Sequence, residues 1–160
     1  MEDRKIVKKF ISHRGNVRGV NLKYENKIDY IEKALKLNFD CEIDIHYDKN
    51  TNRFSLGHDS PENFVDLKWL EINKDKLWIH CKNLEALEYF VENKSDLNYF
   101  WHENDRFTLT SKNFIWTLPG EETTDKSVIV NLENNIDNIG NVFGICSDYI
   151  YEIKNKIERK

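Results

Sequence analysis

The residues best suited to chemistry fall in the first half of the chain: His13-Arg14-Gly15, Glu25-Asn26, Glu42 and Asp44, Gly57-His58-Asp59, and His80. Histidine titrates near neutrality, so His13 and His58 can each give or take a proton during a reaction. Arg14 offers a flat, permanently charged fork that matches phosphate oxygens, and Gly15 lets the backbone turn sharply beside a ligand. Glu42 and Asp44 stand two residues apart, which on a strand sends both side chains to one face, roughly 7 Å apart at the backbone. Two carboxylates held together in an interior repel each other unless a proton or cation separates them. A hard divalent cation with oxygen ligands meets that need. Each feature also has a plainer reading. An acidic pair suits a solvated strand face, and a lone histidine suits a satisfied or exposed position. The information lies in the series.

Hydrophobic spacing predicts the elements that must position these groups. Residues 7–12 (VKKFIS) read as a strand ending directly in His13, followed by a loop over 16–24. From Asn26 the period becomes helical, with Ile28, Ile31, Ala34 and Leu35 on one face and charged residues largely on the other. Residues 39–46 alternate as a strand does: Phe39, Cys41, Ile43 and Ile45 face one way, Asp40, Glu42, Asp44 and His46 the other. A turn-rich stretch leads to a return strand at 53–56, which delivers His58. Further strands are predicted at 77–81, 98–102, 106–111, 113–118, 127–131 and 142–147, with helices near 84–91 and 149–158. The alternation of strand and helix points to a parallel α/β arrangement. About eight strands would match a β/α barrel, yet such barrels typically take ~250 residues. A chain of 160 residues therefore predicts one domain over 1–160, a reduced (β/α) TIM-type barrel with several crossover helices shortened or missing, mostly in the second half.

Composition narrows the class. A hydrophobic share of 39% and an aromatic share of 12%, with only two prolines, predict a folded chain rather than a disordered one. The formal net charge of -4 provides no broad basic field for nucleic acid, so an anionic substrate needs a local cluster or a metal ion. Cys41, Cys81 and Cys146 each sit in an apolar strand-like run, which predicts reduced, buried thiols. Residues 1–5 lack the apolar core of a signal peptide, and no apolar run is long enough to span a bilayer. The expectation is a cytoplasmic protein without membrane insertion.

The order HRG, then EN ahead of a helix, then ExD on a strand, then GHD, all within the first 59 residues, resembles the glycerophosphodiester phosphodiesterase family. A weaker likeness continues through Ile79-His80-Cys81-Lys82, Trp116-Thr117 and the terminal stretch GICSDY at 144–149. The resemblance implies a β/α barrel and a metal-dependent phosphodiesterase acting on a glycerophosphodiester-like small molecule. It implies His13 and His58 as the catalytic acid/base pair, and Glu42 and Asp44 as ligands of one divalent ion, Mg²⁺ or Ca²⁺. Arg14 and Lys82 would neutralise the phosphate, and Glu25 would lie near the substrate hydroxyls. Trp116, like Trp101, offers a flat face to a glycerol or sugar moiety, although core packing suits both. The chain departs from the family at His80, where a glutamate usually serves as the third metal ligand. An imidazole there implies Mn²⁺ or Zn²⁺ preference, a weaker site, or lost activity, and its position between Ile79 and Cys81 on an apolar strand also suits a buried structural histidine. Two alternatives follow: a catalytically weak or inactive barrel that binds a phosphorylated ligand, and a lyase-type enzyme that forms a cyclic phosphate. His102 and Glu103 are secondary candidates for lining the pocket, and His46 shares the acidic face. Asp148, just after the last strand, suits either the site or a helix N-cap.

Overall fold

The alternation at 39–46 is the strongest local signal in the chain, and it becomes the longest strand of the computed structural model, which describes residues 6–137 and 139–159. The elements run in the order β1 (Lys9–His13), α1 (Ile28–Lys36), β2 (Asp40–Asp48), β3 (Arg53–Leu56), β4 (Asn63–Val65), α2 (Leu67–Ile72) and β5 (Leu77–Cys81). There follow α3 (Leu84–Glu92), β6 (Tyr99–Trp101), β7 (Phe107–Leu109), β8 (Ile115–Thr117), β9 (Ser127–Val130), β10 (Gly144–Ser147) and α4 (Ile150–Glu158). Residues 1–5, read above for a leader, lie outside the described residues.

All ten strands join one mixed sheet. Seven of them are parallel neighbours in the order β8-β9-β10-β1-β2-β5-β6. Strand β7 pairs antiparallel with β8, and the β3–β4 hairpin extends the sheet along the carboxyl-terminal half of β2. The α/β class is as the sequence predicts, but the closed barrel is not. Among the described residues no ladder joins β6 to β8, and the sheet remains open between them. The physical reason lies in the second half. Strands β6, β7 and β8 are only three residues each, and β7 runs the wrong way to complete a parallel ring.

Period-two alternation sorts the side chains onto the two faces. On the outer face Cys41, Ile43 and Ile45 of β2 pack with Ile31 of α1, Leu70 of α2, and Ala86 and Phe90 of α3. Helix α4 covers Ile145 through Ile150 and Ile153. The second helix has no counterpart among the elements predicted from sequence, and Leu84 and Val91 of α3 are exposed. On the inner face Ile11, Trp78, Phe100, Trp116, Val128 and Cys146, drawn from six strands, form a single cluster. The sheet is thus strongly curled. Phe100 of β6 stacks on Trp116 of β8 with ring centroids 4.7 Å apart, although their strands share no ladder. The three cysteines are buried and unpaired, and burial pushes the Cys81 thiol up to about 12. No helix among the described residues is long and apolar enough to cross a membrane.

Candidate metal centre

Register decides which side chains meet at the carboxyl end of the curled sheet. His13 lies beside Glu42 across the β1–β2 pair, and Asp44 lies beside His80 across β2–β5. These strands keep their inner faces in step, so alternating residues of three strands converge on one spot. One oxygen or nitrogen each from Glu42, Asp44 and His80 falls within 4.8 Å of the others, so this buried group could hold a metal ion.

The individual contacts show how the charges are held. His80 Nδ1 is 3.3 Å from Asp44 Oδ1 and 3.7 Å from Glu42 Oε1. Its other nitrogen, Nε2, donates to the His102 carbonyl at 2.7 Å. A carbonyl only accepts, so Nε2 must carry hydrogen, and Nδ1 faces the carboxylates as either a lone pair or a second N–H. Fixing the remote nitrogen with a backbone carbonyl is how proteins orient a metal-binding imidazole. Asp44 is fully buried. Asn26 Nδ2 donates to its Oδ2 at 2.9 Å, and the Asp44 amide donates back to Asn26 Oδ1 at 3.0 Å. Arg14 Nε stands 3.0 Å from the same Oδ2, but out of line for a hydrogen bond.

His13 occupies the neighbouring corner. Its Nδ1 meets Asp148 Oδ1 at 2.8 Å, and its Nε2 lies 3.9 Å from Glu42 Oε2. Asn16 ties the loop to both acids, donating to Glu25 Oε1 and to Asp148 Oδ1 at 2.8 Å each. Glu25 also receives Arg14 at 3.3 Å. Two backbone features make the corner possible. Gly15, at φ +90°, lies where a Cβ would come within 2.8 Å of the Tyr30 ring. Asn26, at φ +56°, adopts the left-handed conformation that asparagine tolerates better than most residues.

Electrostatics follow from four acids, of which Glu25 and Asp44 lie against Arg14 and Glu42 and Asp148 lie against His13. Burial works against a charged His80, but its contacts with Asp44 and Glu42 outweigh that and push its pKa up to about 9. Burial likewise opposes charge on His13, and the Asp148 hydrogen bond and the Glu42 charge overcome it, so its pKa is raised. Asp44 is held well below the usual carboxylate range, because His80 and Arg14 override the cost of burying it. Glu42 Oε2 and Asp44 Oδ1 are buried and make no well-aligned hydrogen bond, although His13 Nε2 lies 3.9 Å from the first and His80 Nδ1 3.3 Å from the second. Orphaned carboxylate oxygens are costly in an interior, and a cation between them would satisfy both. The group could therefore hold a metal ion.

Several predicted residues lie elsewhere. His58 stands on the turn after β3, side chain 43% exposed, bonded to its neighbour Asp59 at 2.7 Å and not to the acidic pair. Gly57 shapes that turn, at φ +155°, where a Cβ would collide with the Ser60 carbonyl at 2.0 Å. His58 is near enough to His46 to help burial depress its pKa, while His46 Nε2 donates to the Gly57 carbonyl at 2.9 Å. Lys82 leaves β5 just beyond His80 and contributes its charge to the surroundings of His46 and His102. Trp116, expected against the substrate, is packed into the inner cluster at 4% exposure between Phe100 and Trp78. It is a core residue. Asp148 does not cap α4, whose N-cap is Tyr149, and turns into the site instead. Asn16 was not singled out in the sequence, and nothing distinguishes it there from other loop asparagines.

No family model, no curated protein and no solved structure matches this chain.

Proposed function

We propose that the chain is a metal-dependent phosphodiesterase that hydrolyses a glycerophosphodiester-like small molecule. Glu42, Asp44 and His80 would hold one divalent ion, with His13 as a general acid/base. The observation that carries this reading is the pair of orphaned oxygens, Glu42 Oε2 and Asp44 Oδ1, buried beside an imidazole whose far nitrogen is already committed to the His102 carbonyl. An imidazole among the donors tilts the choice from Ca²⁺ and Mg²⁺ towards Mn²⁺ or Zn²⁺. The HRG, EN, ExD and GHD series supports the substrate class, and the sequential parallel strands around the site are those a reduced barrel would use.

When bound, a divalent ion draws charge from a non-bridging phosphate oxygen. The remaining steps belong to side chains. Asp148 holds His13 Nδ1, which leaves Nε2 to take the proton of an attacking water or hydroxyl. Arg14, anchored by Glu25 and beside Asp44, supplies fixed positive charge for the phosphate. The proton that His13 takes returns to the departing alcohol as the phosphorus–oxygen bond to it breaks.

A second reading is favoured by one observation: Arg14 and His80 already lie against the two oxygens of Asp44. A site neutralised from within would bind a phosphorylated ligand without turning it over. Assays with bis(p-nitrophenyl) phosphate and glycerophosphocholine, with and without EDTA, separate the two. The first reading expects metal-dependent turnover, reduced roughly 10²–10⁴-fold by His13→Ala. Binding without turnover favours the second, and turnover indifferent to both EDTA and His13→Ala rules the mechanism out. Phosphorus NMR of the product distinguishes hydrolysis from release of a cyclic phosphate.

A further inference from the structure

The loop between β1 and α1 has a property that the site itself does not require. Val20 is 54% exposed, Leu22 80% and Tyr24 40%. These side chains are not displayed by a slack segment. The Gly19 amide donates to the Asp148 carbonyl at 2.8 Å, and the Asn21 amide donates to Asn16 Oδ1 at 3.1 Å. The Tyr24 and Glu25 amides both donate to the Asn21 carbonyl at 3.0 Å. The backbone is therefore pinned, and its apolar side chains are held out into water. An ordered apolar display of this kind marks a surface that meets something.

Charge says what kind of surface. Between Asn16 and Lys27 the charged residues free to face outward are Lys23 and Lys27, both cationic, because Glu25 is turned inward to Arg14 and Asn16 while Arg18 pairs with Glu152 and stacks on Tyr151. The Lys23 and Lys27 ammonium groups flank the Tyr24 ring at 5.4 and 5.7 Å. This local positive cluster stands out in a chain of net charge -4. The exposed Ile72, Leu84 and Val91 differ, since each has a glutamate as chain neighbour. Apolar side chains interleaved with lysines are the combination that engages an anionic lipid surface, the former entering the headgroup region and the latter meeting its charge.

We propose that the β1–α1 loop is a lipid-surface contact, through which Leu22, Val20 and Tyr24 dock against an anionic bilayer while Lys23 and Lys27 meet its headgroups. Both ends of the loop are fastened in the metal centre, at Asn16 and at Glu25-Asn26. Docking would thus bring the carboxyl end of the sheet to the lipid. This is peripheral contact and involves no spanning segment.

Vesicle co-sedimentation tests it without any reliance on catalysis. Vesicles of phosphatidylcholine with phosphatidylserine should retain the protein about tenfold better than phosphatidylcholine alone, and added salt should weaken retention. The double variant Val20→Asp, Leu22→Asp should lose that retention, and Lys23→Glu should reduce it, with circular dichroism and turnover of a soluble phosphodiester unchanged. Absence of retention, or equal retention by the double variant, would overturn the proposal. So would sedimentation-equilibrium evidence of self-association that the double variant abolishes, since the loop would then meet a second copy of the chain. Failure of the phosphodiesterase reading shows instead as absent turnover with vesicle retention intact.

Discussion

His13 Nδ1 and Asp148 Oδ1, separated by 135 positions in sequence, meet at 2.8 Å and join the first parallel strand to the end of the last. This contact fixes the face of the imidazole that remains free. Burial alone would lower the His13 pKa, and the Asp148 bond with the Glu42 charge reverses the sign. Asp148→Asn should therefore let burial dominate and lower the His13 pKa, read from the ring protons by NMR titration. A titration midpoint that does not fall would show that the contact does not control the ring.

The pH dependence of stability in the metal-free protein follows from His80. Its folded-state pKa, about 9, is raised above the ordinary value of 6.5. A raised histidine contributes stability that is fully present below the unfolded pKa and is lost as pH climbs through the folded one. Chelated protein should therefore lose stability between pH 6.5 and 9, by on the order of 3 kcal/mol. The low pKa of Asp44 comes from His80 and from Arg14, and its effect on stability falls at acid pH, outside this window. Urea denaturation across that range should show the slope in the wild type and a flatter profile in His80→Gln.

The same proton competes with metal. His80 must give up its Nδ1 hydrogen to become a ligand, so ion binding near neutrality should release about one proton. Calorimetry in two buffers of different ionisation enthalpy measures that number. Affinity should rise about tenfold per pH unit below the His80 pKa. Binding with no proton release would place His80 outside the ligand set.

Trp116 provides a contrast with the sequence expectation. As a side chain packed between Phe100 and Trp78, it should behave as core, so Trp116→Ala should destabilise by about 3–5 kcal/mol in denaturant melts. A substrate-facing tryptophan would instead raise KM with stability nearly unchanged.

Much of the site was legible because β2 carries its own code. The alternation of Cys41, Ile43 and Ile45 with Glu42 and Asp44 dictates both the strand and the face on which the acids lie. Local periodicity also placed α1, β3, β5 and α4 within a residue or two. Helix α2 was missed because six residues, LKWLEI, are too few for a period to stand out, although Asp66 bonded to the Lys68 amide is a capping signal. What local pattern could not supply was long-range. Whether β6 and β8 close a ring depends on pairing between residues far apart in the chain, and so does the side to which Trp116 turns. Asp148 illustrates the same limit. Sequence leaves a cap and a site residue equally plausible, and only its meeting with His13 and Asn16 separates them.

The most direct test of the account is Mn²⁺ titration of chelator-stripped protein, followed by electron paramagnetic resonance of the free ion, in the wild type and in Asp44→Asn. The account predicts one bound ion per chain in the wild type and its loss in the variant, with the variant still folded. Wild-type protein that leaves all the ion free in solution would contradict it, and would mean that Arg14 and His80 alone balance the buried acids.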